Sequence, residues 1–519
     1  MQHDLVLGID AGTTGLRAGV FDLQGRALGF CEQSYPTHYA QPGWAEQMPA
    51  DWWDALVNAV RGCLAENAID GSHIIGLAID APCNILLTDQ AGTPLTNSLL
   101  WMDLRGVEQA QALTATHDPV LRYCGGDVPA EWPLPKALWL KQHEPSLWRQ
   151  AAYLVEQMSW LTWRLTDSWA IPLNSAAAKW HYRPTGLDQT STAWPTSLLH
   201  SVGLDDLEEK VIGNVVPMGS EAGTLTPTAA QQLGLRPGIS VSMSGIDAHA
   251  GMVGLNVLTP GTLALITGTS TCQLVQSAQP VFDPGLWGPF EHAVVQQEWT
   301  IEAGQASTGG TVRWLLDTLG VSFPAGKDRY AMADEAAGLI APGADGLVLL
   351  DFWQGSRTPI KDPHARGTIL GLTPAHGPAH LLRAIYEGTA YGNRRILEKL
   401  DSLGIATDRI VACGGGTRSA LWLQILADVA GIPITLTQIS DAVSLGSAMC
   451  AAVGSGAFPD LISAGNAMVH PHTTIEPRAT TQARYEEGYE LYKSSYSALA
   501  PIFQQIAFEE TSKQYRAIL

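Results

Sequence analysis

A glycine-rich stretch near the start of the chain, GIDAGTTGLRAGVFD at residues 8–22, contains the residue types that bind phosphate. Gly12 and Gly15 permit positive φ angles and a close approach to a ligand. The amides of Thr13 and Thr14 can therefore point at an anion, and the threonine hydroxyls are further donors. The stretch lies between two apolar runs that read as paired strands, so we expect it to form the tip of a hairpin.

Two charged residues flank this turn. The guanidinium of Arg17 is suited to phosphate oxygens. Asp10 would face the same phosphate, which is favourable only if a cation lies between them, and magnesium is the usual choice. The alternative is a hairpin that is rich in Gly and Thr for conformational reasons alone.

The same pattern returns in the middle of the chain. An apolar strand ends at Gly245-Ile246-Asp247, and the stretch GTLALITGTSTCQLV then reads as a strand, a turn at Gly268-Thr269-Ser270 and a second strand. Two phosphate-type hairpins, one near the start of each half, predict two similar α/β domains with a nucleotide between them. We place the boundary near residue 253.

A third glycine-rich turn lies near the C-terminal end, where a strand, Gly414-Gly415-Gly416-Thr417 and a helix beginning around Ser419 follow one another. Such glycines can lie flat against a planar or anionic group, and the first amides of the helix are free to bind there. The alternative is a tight connection that packing alone requires.

Several elements are predicted to surround these turns. The proline and the apolar periodicity from Pro49 predict a helix, and the stretch from His73 predicts two strands that end in a turn at Asp89–Gly92. A longer helical region is expected from about Pro135 through Leu165.

The composition limits the class of protein. The 519 residues carry a formal net charge of −20, which argues against nucleic acid or an anionic membrane as a general partner. The seven cysteines are scattered and never form a Cys-x-x-Cys pair, a pattern typical of free thiols in a reducing compartment. No signal peptide or membrane span is apparent, so we expect a cytoplasmic, soluble protein.

Taken together, these motifs resemble the FGGY family of carbohydrate kinases, which belongs to the actin-like ATPase superfamily. The resemblance covers nearly the whole chain. The segments that carry it are GIDAGTTGLRAGVFD, LLWMDLR, WPLPKALWLK, GIDAHAG, ITGTSTC, DFWQGSRTPIKDPHARGTILGLT, YEGTAYGNR and CGGGTRSALWLQILADVAG. It implies an α/β fold with two actin-like ATPase (ribonuclease H-like) domains, residues 1–252 and 253–519, and a nucleotide cleft between them.

The resemblance implies ATP-dependent phosphorylation of a sugar hydroxyl. Asp247 is the candidate catalytic base that accepts the proton of the hydroxyl, and the alternative for this carboxylate is to cap the following helix. Asp10 would hold Mg²⁺, mainly through water. The ATP-binding candidates are Gly12, Thr13, Thr14, Arg17, Gly268, Thr269, Ser270, Gly310, Gly414, Gly415, Gly416 and Thr417.

Several positions match residues that contact the sugar, or lie beside it, in related kinases. They are Asp80, Trp101, Asp103, Arg105, Glu131, Lys136 and Asp247. Alternatives stay open: Asp103 and Arg105 could pair with each other and brace their loop, and Trp101 could belong to the core. Two departures from the family pattern, Ala137 after Lys136 and Ala303 in the segment EAGQ, put the sugar in doubt more than the reaction.

The segments IDAPCN and GIDAHAG, together with Glu131-Trp132, look more like ribulose kinases than glycerol or xylulose kinases. We therefore expect a ketopentose, ribulose first, to be phosphorylated on its terminal hydroxyl. The alternatives are xylulose, erythritol, glycerol or another polyol, and an actin-like ATPase switch without a sugar acceptor. Dimers are common among similar proteins, but nothing in the sequence identifies an interface.

Overall fold

The computed structural model describes residues 4–184, 193–318 and 328–518. Their contacts divide the chain into two compact units. The first unit contains residues 1–259, 276–301 and 441–470, and the second contains residues 260–275, 302–440 and 471–519. Two segments from later in the chain, residues 276–301 and 441–470, thus belong to the first unit, whereas the sequence predicted a single boundary near residue 253.

The elements are numbered in chain order. The strands are β1 (Leu5–Ala11), β2 (Gly15–Asp22), β3 (Ala27–Ser34), β4 (Glu46–Gln47), β5 (Ile74–Ala81), β6 (Ile85–Thr88), β7 (Ser98–Leu99), β8 (Tyr153–Glu156), β9 (Ala170–Pro172), β10 (Asn214–Val216), β11 (Glu221–Thr224), β12 (Ser240–Ile246), β13 (Gly261–Thr267), β14 (Thr271–Ser277), β15 (Trp287–Glu291), β16 (Trp299–Gln305), β17 (Val348–Leu350), β18 (Thr368–Leu370), β19 (Thr407–Gly414), β20 (Ile434–Thr437) and β21 (Pro471–Ile475).

The helices are α1 (Pro49–Glu66), α2 (Val107–Thr114), α3 (Pro133–His143), α4 (Pro145–Gln150), α5 (Gln157–Thr166), α6 (Leu173–Lys179), α7 (Thr196–Ser201), α8 (Leu207–Lys210), α9 (Pro227–Leu233), α10 (Asp247–Gly254), α11 (Gly309–Thr318), α12 (Arg329–Gly338), α13 (Pro378–Ser402), α14 (Ala420–Ala430), α15 (Ala442–Gly454), α16 (Leu461–Met468) and α17 (Ala479–Ile518). None of the helices in the described parts of the chain combines the length and apolar character that a membrane span needs.

The first unit is built on a six-stranded sheet in the order β11-β12-β5-β1-β2-β3. β1 pairs antiparallel with β2 and parallel with β5, and β5 pairs parallel with β12. The interior residues of β1 are buried on both faces, as expected for a strand in the middle of a covered sheet. A second, four-stranded sheet has the order β4-β7-β6-β8.

The second unit repeats this plan. Its strands β14, β13, β19, β20 and β21 lie side by side in that order, and the pairs are antiparallel, parallel, parallel and antiparallel. The strands β2, β1, β5, β12 and β11 of the first unit show the same succession. The prediction of two similar α/β domains is therefore confirmed, and each glycine-rich hairpin joins the first antiparallel pair of its sheet.

Local sequence accounts for most of these elements. α1 begins with Pro49 in its first turn, where the missing amide hydrogen costs no hydrogen bond, and it buries Trp52 and Leu56 against the sheet. The predicted strands after His73 are found as β5 and β6.

The continuous helical region expected between residues 135 and 165 is wrong in its middle. α3 ends at His143, Pro145 begins the short helix α4, and β8 pairs antiparallel with β6 before α5 begins. Proline cannot continue a preceding helix because it has no amide hydrogen and its ring clashes with the previous turn. The apolar pair Leu154-Val155 is buried in β8. Short apolar runs occur in buried helices as well as in strands, so the hydrophobic pattern alone did not distinguish the two.

Helices α10 and α15 of the first unit pack with their backbones almost in contact. A Cβ atom added to Gly446 would lie 1.8 Å from the carbonyl oxygen of Ala250, and one added to Gly254 would lie 1.8 Å from that of Ala442. The small residues of α15 are therefore needed for helix packing. Because α15 also contacts β1, β5 and β12, this packing fixes how it lies on the sheet.

We predict that Gly446→Ala lowers the free energy of unfolding of the first unit by about 3 kcal/mol, because the obstructing atoms are backbone and cannot rotate away. Urea unfolding followed by tryptophan fluorescence measures this, since twelve of the 17 tryptophans precede residue 200.

The control is Gly377→Ala, where no described residue beyond its neighbours in the chain comes within 4 Å of the added Cβ and φ is −117°. An equal unfolding midpoint for Gly446→Ala and Gly377→Ala would contradict the close helix packing.

Candidate active site

Three aspartates meet at the carboxyl ends of the parallel strands of the first unit. Asp10 on β1 and Asp80 on β5 are direct Cα partners, and Gly245 on β12 is the partner of Asp80 on its other side. Asp247 follows two residues later, at the first position of α10. The strand register alone therefore gathers these carboxylates, which lie 70 or more residues apart in the sequence.

The carboxyl groups of Asp10 and Asp80 lie close enough to interact with each other. Asp80 is fully buried and its Oδ2 accepts a 2.6 Å hydrogen bond from Ser447 Oγ, whereas its Oδ1 accepts no hydrogen bond from the described residues. Burial, followed by the charges of Asp441 and Asp247, raises the pKa of Asp10 to about 7. Burial and the neighbouring Asp10 likewise hold the pKa of Asp80 well above its usual range.

This arrangement fits a divalent cation. Carboxylate oxygens are the donors that Mg²⁺ prefers, and a buried carboxylate oxygen without a donor gains most from a nearby cation. Within the described residues, no three His, Cys, Asp or Glu side chains come close enough to ligate one metal ion together. A Mg²⁺ held by Asp10 would therefore keep much of its water shell, as Mg²⁺ commonly does.

Asp247 lies at the N-terminus of α10, where a carboxylate is favoured by the helix dipole. Its Oδ1 accepts a 2.7 Å hydrogen bond from the amide of Ala248. Gly245 precedes it with a φ of +109° and packs against Asn174, so the strand turns sharply into the helix at this point. The position is compatible with the predicted catalytic base, whereas the alternative of a helix cap is wrong, because the N-cap of α10 is Ile246 and no side chain caps this helix.

Three side chains donate hydrogen bonds to the first glycine-rich hairpin. The hydroxyl of Tyr35 donates to the carbonyl of Gly12, and Gln47 Nε2 donates to the carbonyl of Thr13 over 2.7 Å. The indole nitrogen of Trp101 donates to Thr13 Oγ1 over 3.0 Å. Trp101, predicted to lie on the sugar side, thus contacts the predicted phosphate hairpin directly.

Arg17 lies beside Asp10 on the neighbouring strand, as its direct Cα partner. Its Nη1 donates to Asp441 Oδ2 over 2.9 Å, and its Nη2 donates to Glu32 Oε2 over 2.6 Å. Both terminal nitrogens of this predicted phosphate ligand are therefore engaged with carboxylates.

Asp103 and Arg105, two predicted sugar-side residues, pair with each other. The guanidinium of Arg105 donates to both oxygens of Asp103 and to Glu46, and it lies 3.8 Å from the ring centre of Trp44. Asp103 also accepts from the amide of Ala45 and is fully buried. These contacts brace the loop, which is the alternative that the sequence left open.

Lys136 is fully buried at the start of α3. Its ammonium group donates to the backbone carbonyls of Leu100, Trp101 and Glu131 over 2.5, 3.0 and 2.7 Å. Burial lowers the pKa of Lys136 to about 8. Since an ammonium group has three hydrogens, this lysine joins the two loops that carry Trp101 and Glu131.

In the second unit, the hairpin at residues 268–270 rests on the N-terminus of α11. The amides of Gly309 and Gly310 donate to the carbonyls of Gly268 and Thr269 over 3.2 and 2.9 Å. A Cβ atom on Gly309 would lie 2.4 Å from the carbonyl oxygen of Gly268. Gly310, an ATP-binding candidate, thus contacts the hairpin through its backbone amide. Ser270, another candidate, is part of the hairpin itself.

The triple-glycine turn follows β19, the strand next to β13. Gly414 has a φ of +92°, and an added Cβ would lie 2.0 Å from the carbonyl oxygen of Thr267. The amide of Gly416 donates to Thr267 Oγ1, and Thr417 Oγ1 donates to the carbonyl of Gly414. Among the described residues, apart from the neighbours of Gly415 in the chain, none has an atom within 4 Å of a Cβ added to Gly415, so the turn has one open face.

Three basic residues near the end of α6 were not among the predicted site residues. Lys179, His181 and Arg183 are all buried, and the Lys179 ammonium lies 5.1 Å from the ring centre of Trp132. Arg183 lies 3.7 Å from the ring centre of Tyr123. Their regular spacing in KWHYR could have indicated one shared face, but the neighbouring aromatic residues come from distant segments.

Comparisons with known proteins agree with this architecture. Residues 5–254 match the FGGY family of carbohydrate kinases, N-terminal domain, and residues 263–455 match its C-terminal domain. The chain is 30% identical to the human FGGY carbohydrate kinase domain-containing protein over 94% of this chain and 95% of that protein. It is 29% identical to the ribulokinase of Geobacillus thermodenitrificans over 95% of this chain and 94% of that protein.

A solved structure, the xylulose kinase from Rhodospirillum rubrum, superposes with a TM-score of 0.83 at 27% identity and covers 96% of this chain and 100% of that chain. Fold and site therefore define an actin-like sugar kinase. The chain belongs to the FGGY family of carbohydrate kinases, whose members transfer phosphate from ATP to a sugar hydroxyl.

The raised pKa of Asp10 predicts a pH-dependent stability. Below its unfolded-state pKa near 3.8 the carboxyl is protonated in both states. Between that value and about 7 it is ionised in the unfolded state but mostly protonated in the folded state, which progressively favours unfolding. The free energy of unfolding of the wild type therefore falls between about pH 4 and 7, whereas that of Asp10→Asn lacks this decrease. Thermal unfolding in EDTA should show the variant gaining a few degrees over wild type as the pH rises to 8.

Asp401→Asn serves as the control because Asp401 is exposed at the end of α13. A melting-temperature difference between Asp10→Asn and wild type that stays constant from pH 5 to 8 would contradict the shifted pKa.

Proposed function

We propose that this sugar kinase phosphorylates the terminal hydroxyl of a ketopentose, ribulose first, with Mg-ATP as the donor. The observation that carries the proposal is the group of carboxylates at the ends of β1, β5 and β12, with Asp247 at the start of α10. The ribulokinases at 28–29% identity support a ketulose acceptor. Xylulose is the second candidate, because solved xylulose kinases share 26–27% identity with this chain.

Phosphoryl transfer requires positioning and charge neutralisation more than covalent help, because negative charge is spread over the transferred oxygens in a loose transition state. In this proposal the amides and hydroxyls of residues 12–14 and 268–270 bind phosphate oxygens. Gly310 supports the second hairpin, and the open face at Gly415, with the rest of residues 414–417, receives the adenosine. When bound, Mg²⁺ would neutralise phosphate charge, and Asp10 would hold it mainly through water.

Asp247 acts as the base in this scheme. A sugar hydroxyl is a poor nucleophile at neutral pH, and a carboxylate beside it can take up its proton as transfer proceeds. The Asp247 carboxylate is oriented by the amide of Ala248 and by the sharp turn at Gly245. Asp10 and Asp80 lie near enough to Asp247 to act on it electrostatically. A bound cation would offset the repulsion among these carboxylates, so that Asp247 stays ionised and can accept the proton.

The predicted sugar-side residues take three different roles. Trp101 and Glu131 lie on loops that Lys136 ties together, so we assign the acceptor wall to these two loops. Asp103, Arg105 and Lys136 hold the loops in position by their own contacts. Asp80 acts with Asp10, because its carboxyl group lies against that residue and against Ser447.

The acceptor and the base are tested together in a coupled ADP-release assay with Mg-ATP and a panel of ketopentoses, aldoses, alditols and glycerol. We expect one ketopentose to stimulate turnover strongly, and Asp247→Asn to reduce that turnover by a factor of about 10² to 10⁴, the usual contribution of general base catalysis.

The matched control is Asp401→Asn, which removes an exposed carboxylate and should leave turnover unchanged. Slow ATP hydrolysis that responds neither to any acceptor nor to Asp247→Asn would instead indicate a nucleotide-dependent switch. Stimulation by a polyol outside the ketopentoses would retain the base and replace the substrate.

A further inference from the structure

A chain of hydrogen bonds within the first unit joins the first glycine-rich hairpin to residues 100–105, which we call the acceptor loop. The indole nitrogen of Trp101 donates to Thr13 Oγ1 over 3.0 Å, and the backbone amide of Trp101 donates to Asn84 Oδ1 over 2.7 Å. The ammonium group of Lys136 donates to the carbonyl of Trp101 over 3.0 Å. The amide, the carbonyl and the indole nitrogen of Trp101 are thus all engaged.

Asn84 forms the middle of this chain together with Gln157. Both side chains are fully buried, and Asn84 Nδ2 donates to Gln157 Oε1 over 2.7 Å. Gln157 Nε2 in turn donates to the carbonyl of Ala11 over 3.4 Å. Ala11 is the last residue of β1 and directly precedes the hairpin. The hydrogen bonds that leave the hairpin at Thr13 therefore return to it at Ala11 and form a closed ring.

The direction of each hydrogen bond in this ring is determined by its two ends. The backbone amide of Trp101 can only donate, and the carbonyl of Ala11 can only accept. Asn84 must therefore present its oxygen to Trp101 and its NH₂ group to Gln157. Gln157 must present its oxygen to Asn84 and its NH₂ group to Ala11. Rotation of either side-chain amide by 180° would leave buried polar groups unpaired, so the ring has one stable arrangement.

The Trp101 indole also determines what the hydroxyl of Thr13 can do. An indole nitrogen is only a donor, so Thr13 Oγ1 accepts in this contact and its own hydrogen is available to a phosphate oxygen. The carbonyls of Gly12 and Thr13 accept from Tyr35 and Gln47. The protein thus binds the acceptor groups of the hairpin, and the hairpin keeps hydrogen-bond donors for an anion.

We propose that Trp101 is a positioning residue for the nucleotide as well as part of the acceptor wall, and that the Asn84–Gln157 pair couples the two sites. Nucleotide bound at the hairpin fixes Thr13, which orders the acceptor loop through Trp101. An ordered acceptor loop in turn favours nucleotide binding, because coupling between two sites is reciprocal. The inference rests on the proposed function, since it takes the hairpin as a phosphate site and the acceptor loop as the sugar side.

The competing role of the ring is structural bracing alone. Asn84 directly precedes β6 and Gln157 directly follows β8, and these two strands pair with each other. A brace contributes equally whether or not nucleotide is bound. A coupling ring instead changes the acceptor loop when nucleotide binds, and it does so only while residue 101 has an indole nitrogen that donates to Thr13.

The test measures nucleotide binding to the full-length protein without any sugar. Calorimetry gives the affinity for the Mg²⁺ complex of AMP-PNP, a non-hydrolysable ATP analogue, and hydrogen–deuterium exchange gives the protection of the acceptor loop with and without it. We expect AMP-PNP to slow exchange of the acceptor loop in the wild type. Trp101→Phe keeps an aromatic ring without the donor, so it should lose this protection and bind AMP-PNP about two- to tenfold more weakly, the usual effect of one neutral hydrogen bond.

The matched control is Trp53→Phe. The indole nitrogen of Trp53 also donates over 3.0 Å, but its acceptor is Gln232 Oε1 and the contact joins α1 to α9, outside the ring. This variant should bind AMP-PNP and protect the acceptor loop as the wild type does.

A second variant, Asn84→Leu, removes the buried amide and should speed exchange of the acceptor loop in the absence of nucleotide. Combined with Trp101→Phe, it should weaken AMP-PNP binding no further than Trp101→Phe alone, because the ring acts as one unit. Added losses in the double variant would contradict the coupling through the ring.

Equal AMP-PNP affinity in wild type, Trp101→Phe and Trp53→Phe would overturn the proposal. Protection of the acceptor loop that is absent in the wild type, or as large in Trp101→Phe as in the wild type, would also overturn it. These readouts need no sugar, so they decide the inference even if the wild type phosphorylates no ketopentose and the proposed acceptor is wrong. A wild type that binds no AMP-PNP would overturn both the inference and the proposed function.

Discussion

The placement of two carboxylates side by side, with Asp80 fully buried and Asp10 half-buried, is the constraint on which the first unit depends. Asp10 and Asp80 end adjacent parallel strands and share one register position, so neither can move away without shifting its strand. Ser447 on α15 donates a hydrogen bond to Asp80, and α15 approaches β1 at backbone distance at Gly8 and α10 at Gly446 and Gly254. The close packing of α15 and the position of the acidic group therefore depend on each other.

The two units use the same strand succession with different chemistry at the strand ends. The first unit places aspartates there, whereas the second places glycines whose backbones pack against Thr267 and against the 268–270 hairpin. Acids can hold a cation and accept a proton, while exposed backbone amides and open glycine faces can receive phosphates and a flat base. The same strand succession thus carries different residue types at its strand ends in the two units.

Short-range patterns in the sequence predicted the elements that local chemistry determines. Both hairpins and the strand, triple-glycine turn and helix at residues 407–430 were visible from alternation and glycine placement. The prediction of one helix over residues 135–165 did not take account of Pro145, which begins the separate helix α4. Contacts made across the chain could not be read in this way: the bridge from Arg17 to Asp441, and the inward ammonium of Lys136, depend on which distant segment supplies the acceptor.

We propose that the carboxylates at the ends of β1 and β5 hold Mg²⁺. Isothermal titration calorimetry of Mg²⁺ into the nucleotide-free protein measures this binding, with Asp10→Asn as the variant and Asp401→Asn as the surface control. We expect saturable binding by wild type and the control, and binding at least tenfold weaker by Asp10→Asn. Mg²⁺ binding of equal strength in all three proteins, or none in wild type, would contradict it.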